Sequence, residues 1–169
     1  MLYVLRRPWF RLGAVALVLL AFQTTLCADL KPFGETVDLM LLASVATGVV
    51  GGSQFGALGG FIFGVAFDLV LVTPFGLSPL VYGLVGFAAG YSQSFTFQQM
   101  WYLQSVLVAA GSAAGVFGIA IVQQIIGPRA PLGSELVQTA LVVGLANAVL
   151  APLALPVQRW CLSIKRVVV

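Results

Sequence analysis

The sequence contains no histidine, and among its 169 residues only eight are basic and five acidic. Without histidine the commonest general base is missing, and so are the serine–histidine hydrolytic site and the paired-histidine zinc helix. No Gly-x-x-x-x-Gly-Lys-Ser run is present to cradle a phosphate. Cysteine is nearly absent too. Cys27 and Cys161 close the first and last apolar segments, and the topology derived below puts them at opposite membrane faces, too far apart to pair. Two thiols and no imidazole are too few for a metal site, and no cofactor is implied. Charged residues make up 8% of the chain, against about 25% in a soluble domain. What fills the space is apolar: 60% hydrophobic residues and a mean hydropathy of +1.07. The composition describes an all-α integral membrane protein with no room for a separate soluble domain.

The few charges are placed unevenly. Arg6, Arg7 and Arg11 lie near one terminus, and Arg159, Lys165 and Arg166 lie near the other. Such end clusters act as topology signals facing membrane lipid, not as a nucleic-acid surface. The positive-inside rule puts both termini in the cytoplasm, which requires an even number of spans. Apolar runs and breaks predict six helices in a single transmembrane domain covering 1–169: about 12–28, 37–51, 55–72, 80–96, 101–126 and 135–159. Gly51-Gly52-Ser53-Gln54 supplies the turn between the second and third, and Thr73-Pro-Phe-Gly-Leu-Ser-Pro79 the clearest loop. Trp9, Trp101 and Trp160 then all fall at the inner interface, where amphipathic rings settle. An alternative with four spans makes residues 37–72 re-entrant.

Between Asp38 and Arg129 the only formal charge is Asp68. A carboxylate at a helix centre costs about 2.5–3.5 kcal/mol on insertion scales, so something must retain it. The third helix places it roughly 7 Å below the outer interface, at 1.5 Å per residue. Its candidate partners at that depth are Thr73, Tyr82, Gln123 and Gln124. Either it lines a pocket for a ligand, proton or partner helix, or it makes an internal hydrogen bond that fixes packing. Two facing acids, as an intramembrane aspartyl protease needs, are not expected, and the chain does not read as an enzyme.

Glycines recur at 48, 52, 56, 60 and 64, a spacing that lets helix backbones approach closely in a bilayer. Gly56, Gly60 and Gly64 share one face of the third helix and serve either packing within the chain or a dimer contact. Gly86-x-x-x-Gly90 and Gly111-x-x-x-Gly115 extend the theme. Asn147, midway along the sixth helix, wants an interhelical partner, and Pro152 and Pro156 beyond it free carbonyl groups.

Asp38-Leu-Met-Leu-Leu, Gly56-x-x-x-Gly60-Phe61-x-x-Gly64-x-x-x-Asp68-Leu69, Pro74-x-Gly76-x-x-x-Leu80 and Gly86-x-x-x-Gly90 together resemble the rod shape-determining MreD family. The likeness is dense over residues 35–92. Val37 departs from it, standing where the family often has proline, and so does the lack of basic residues near Gly51. The resemblance implies a non-enzymatic inner-membrane component of the bacterial cell-elongation complex. Its partners would be an MreC-like bitopic protein and, through it, the peptidoglycan transpeptidase and glycosyltransferase. It also implies a six-transmembrane-helix bundle similar to the S-component of energy-coupling-factor transporters, with a cavity opening outward. A vitamin-like substrate-binding subunit of a transporter is the alternative reading. In either, Asp68, Gly56, Gly60, Gly64, Tyr82, Gln124 and Asn147 are the candidate packing or partner-binding residues.

Overall fold

A computed structural model describes residues 8–25, 37–70, 76–93, 101–126 and 133–163. Among them there are six helices and no strand: α1 Pro8–Thr25, α2 Leu39–Gly51, α3 Ser53–Asp68, α4 Leu77–Gln93, α5 Trp101–Ile126 and α6 Ser134–Leu162. α1 starts a turn earlier than the apolar run suggests, because proline is tolerated at the first helical position, where its missing N–H is not needed. Pro79 enters the first turn of α4 for the same reason, so α4 starts at Leu77 and not at 80. The expected 51–55 turn shrinks to a single residue. Gly52 sits at φ +87°, and with no Cβ it reverses the chain alone.

α3 stops at Asp68, not at 72, so the acid stands at the helix end and not several residues inside it. α6 runs on through Pro152 and Pro156, both exposed, to a left-handed Ser163 at φ 57°. α5 and α6 contain segments long and apolar enough to cross a membrane, Tyr102–Ile125 and Ser134–Leu162. α2 and α3 are half-length by comparison. Thirteen and sixteen residues at 1.5 Å each rise roughly 20 and 24 Å.

α2 forms the centre. Every residue from Met40 to Val50 is buried, and α3, α4, α5 and α6 surround it with α1 at the edge. Glycine permits this. A Cβ at Gly48 or Gly56 would collide with the Gly86 carbonyl oxygen, one at Gly60 with the Tyr82 carbonyl, and one at Gly64 with the backbone of Pro79. α2, α3 and α4 therefore touch backbone to backbone. The expected face of Gly56, Gly60 and Gly64 is occupied by α4 of the same chain.

The outside is apolar. Along α6, Val137, Leu141, Leu145, Val149, Leu153 and Val157 form an exposed ridge at four-residue spacing. Soluble monomers rarely leave so continuous an apolar face uncovered.

At one end of the bundle the first and last helices meet. Arg11 donates to the Trp160 carbonyl oxygen (3.1 Å) and to Ser163 Oγ (2.9 Å), and lies over the Trp160 ring. Trp9 stacks on Phe55 at the start of α3, and Arg159 donates to Gln104 (2.7 Å). The side chain of Trp101, together with Arg6, Arg7, Cys27, Lys165 and Arg166, lies outside the described residues. Cys161 is a buried thiol.

The glycine seam is tested directly by bulk. Gly60→Ala is expected to lower stability in detergent by about 1–3 kcal/mol, the usual cost of overpacking. Gly13, with open space around its Cα, should accept alanine unchanged or with a gain of up to about 1 kcal/mol. Thermal unfolding of the two variants side by side distinguishes them.

Candidate functional site

The end of the bundle opposite Arg11 gathers the polar side chains. Asp38 is the N-cap of α2. Its Oδ1 accepts from the Leu41 N–H (2.9 Å), the bond expected of an aspartate at that position. Its Oδ2 accepts a hydrogen bond from the Tyr82 hydroxyl of α4. Tyr82 is fully buried and packs its ring against Phe67 of α3. Gln23 of α1 accepts from the Met40 N–H (3.3 Å), which meets a second orphan donor at the start of α2. Asn147 of α6 donates to Ser112 Oγ of α5 (2.9 Å) and to the Asp38 carbonyl oxygen (3.3 Å). Five helices (α1, α2, α4, α5 and α6) thus converge on Asp38 and its neighbours.

Asp68 does something different. It is 4% exposed, and its Oδ2 accepts from the Gly76 N–H at 2.7 Å. Gly76 has φ +104°, a conformation that suits glycine. The acid closes the connection from α3 to α4 by capping a backbone donor across the turn. This is the internal hydrogen bond among the roles open to it from sequence. The expected Tyr82 partnership falls to Asp38 instead, because Tyr82 sits a turn and a half into α4 and reaches across to the start of α2. Thr73 lies outside the described residues, and Gln124 is exposed near the end of α5.

Asp68 is the buried acid among the described residues, as its isolation suggests. The expected helix 37–51 takes in Asp38, whereas α2 starts at Leu39 and Asp38, half-buried, is its cap. The signal was there: aspartate directly before an uninterrupted apolar run is an N-cap pattern, and a cap residue is carried wherever its helix starts. Here that start meets side chains of four other helices. Asn147 Oδ1 is buried with no hydrogen-bond partner among the described residues. Among those residues, no three His, Cys, Asp or Glu side chains lie together as a metal cage. The cluster can orient helices and tie them to one another.

No family model matches this chain, nor does any curated protein or solved structure.

Tyr82→Phe should cost about 1–3 kcal/mol, because a half-buried carboxylate loses a fully buried donor. In an Asp38→Leu background the same change should cost far less. Equal costs in both backgrounds, read by a double-mutant cycle on thermal unfolding, would show that the two groups do not couple. For Asp68, asparagine keeps an oxygen for the Gly76 N–H and leucine does not. Asp68→Asn is accordingly expected to be the milder change in folded yield and Tm, and equal, severe loss in both would point to a required charge.

Proposed function

We propose that the chain is a six-span bundle of the bacterial inner membrane with both termini in the cytoplasm. In this reading it acts, as an MreD-like protein would, as a non-enzymatic scaffold or regulator of the cell-elongation complex. One observation carries the reading. The residues of the MreD-like motifs are the ones that lock α2, α3 and α4 together: Asp38 caps and binds Tyr82, Gly56 meets Gly86, Gly64 meets Pro79, and Asp68 binds Gly76. Such spacing serves a rigid framework, and rigid frameworks suit docking.

Two helices long enough to cross a bilayer and an apolar outer surface support the membrane setting. The half-length α2 and α3 would pair as a tight hairpin whose backbone groups are satisfied internally, as a lipid core requires. Exposed apolar faces on α4, α5 and α6 would meet partner helices, an MreC-like bitopic protein first among them. Through that protein the chain would serve the transpeptidase and glycosyltransferase of lateral wall synthesis. The grooves between α1 and α6 and between α4 and α5 are lined mainly by carbon, which favours helices or lipid over a polar vitamin-like solute.

Deletion in a rod-shaped host is expected to give rounded cells. The tagged protein should co-purify with a bitopic partner bearing a large extracytoplasmic domain, and a reporter after Val169 should be active only inside. Unchanged shape and wall synthesis on deletion would overturn the elongation role, and a reporter active only outside would overturn the topology.

A further inference from the structure

A groove of about 610 Å³ runs along the bundle between α1 and α6, floored by α2. Its walls are aliphatic, from Val15 and Leu19 on one side to Leu153 and Ala154 on the other. It follows α6 from Leu150 to Trp160, roughly 15 Å at 1.5 Å per residue. At its mouth stands Trp160, with the Arg11 guanidinium 5.0 Å above the ring centroid. Arg11 is held there by the Trp160 carbonyl oxygen and Ser163 Oγ, so a positive charge is fixed at the end of an apolar channel.

The sequence reinforces that charge. Arg6 and Arg7 directly precede α1, Lys165 and Arg166 follow Ser163 by two and three residues, and Arg159 belongs to the last turn of α6. The acids among the described residues lie elsewhere: Asp38 just before α2, Asp68 at the end of α3, and Glu135 at the start of α6.

We propose that this groove binds an anionic phospholipid, an acyl chain lying between α1 and α6 and the phosphate at Arg11. The proposal rests on the membrane reading above. Charge favours the anion, since basic clusters at the cytoplasmic ends of helices attract acidic head groups. Arginine suits the task because its planar fork meets phosphate oxygens in pairs.

The test reconstitutes the full chain in vesicles of phosphatidylglycerol and phosphatidylcholine in equal parts, extracts it in mild detergent, and counts the retained lipids by mass spectrometry. Phosphatidylglycerol should be enriched about five-fold, the worth of one arginine near a charged surface, and the enrichment should fall as salt rises. Arg11→Gln should bring the two lipids near parity. Ala154→Phe should reduce retention of both by filling the groove, while Ala114→Phe in the α4–α5 groove should not. Equal retention of the two lipids by the native chain would overturn the proposal, as would enrichment indifferent to salt and to both variants. A photocrosslinker at Leu153 that captures a polypeptide would overturn it too, in favour of a partner helix or a second copy. A chain that does not insert overturns the membrane reading as well, whereas insertion with equal retention overturns the lipid site alone.

Discussion

Three helices of this protein touch without side chains between them, and the rest of the structure follows from that contact. In a bilayer the hydrophobic effect does not draw helices together, since lipid tails are as apolar as leucine. In the membrane setting proposed above, dispersion would do it, and dispersion falls off steeply with any gap. Gly48, Gly56, Gly60, Gly64 and Gly86 remove the gap, so the carbonyl groups of α4 lie directly on α2 and α3. Once those backbones are in contact there is room for Tyr82 to reach Asp38, and α3 and α4 are close enough for one carboxylate to bridge their connection.

Asp38 and Asp68 divide the work of holding polar backbone groups at the ends of α2 and α3. Asp38 meets a donor at the start of α2, and Asp68 meets one in the turn before α4. A helix start and a turn both leave N–H groups without partners, and in lipid no water arrives to satisfy them. Each acid therefore sits where the fold exposes backbone polarity. Asn147 and Ser112 extend the pattern sideways by stitching α5 and α6 to the start of α2.

Much of this was legible in the sequence. Helix positions followed from apolar runs and their glycine and proline breaks, and the Gly52 reversal from the one stretch with turn chemistry. Burial of Asp68 followed from its isolation in a run without other charges. The partner exchange did not follow. Which acid Tyr82 meets depends on how α2 and α4 are offset, and periodicity says nothing about offset. The depth of Asp38 was hidden for a related reason. A polar residue at the start of a predicted helix looks solvated, and the packing of α1, α4 and α6 around the start of α2 leaves it half-buried. The end of α3 was misplaced because Leu69 and Val70 continue the apolar pattern while the chain has already turned.

The clasp between Arg11 and the end of α6 joins residues 152 apart in the chain. During synthesis at about 5–20 residues per second, the opening helix would wait roughly 8–30 s before its counterpart exists. Until then α1 is held by its packing on α2 and α3, the stacking of Phe55 on Trp9 included. Assembly of this bundle is therefore completed from its tail, and whatever is appended to or trimmed from the carboxyl end acts on the position of the amino end.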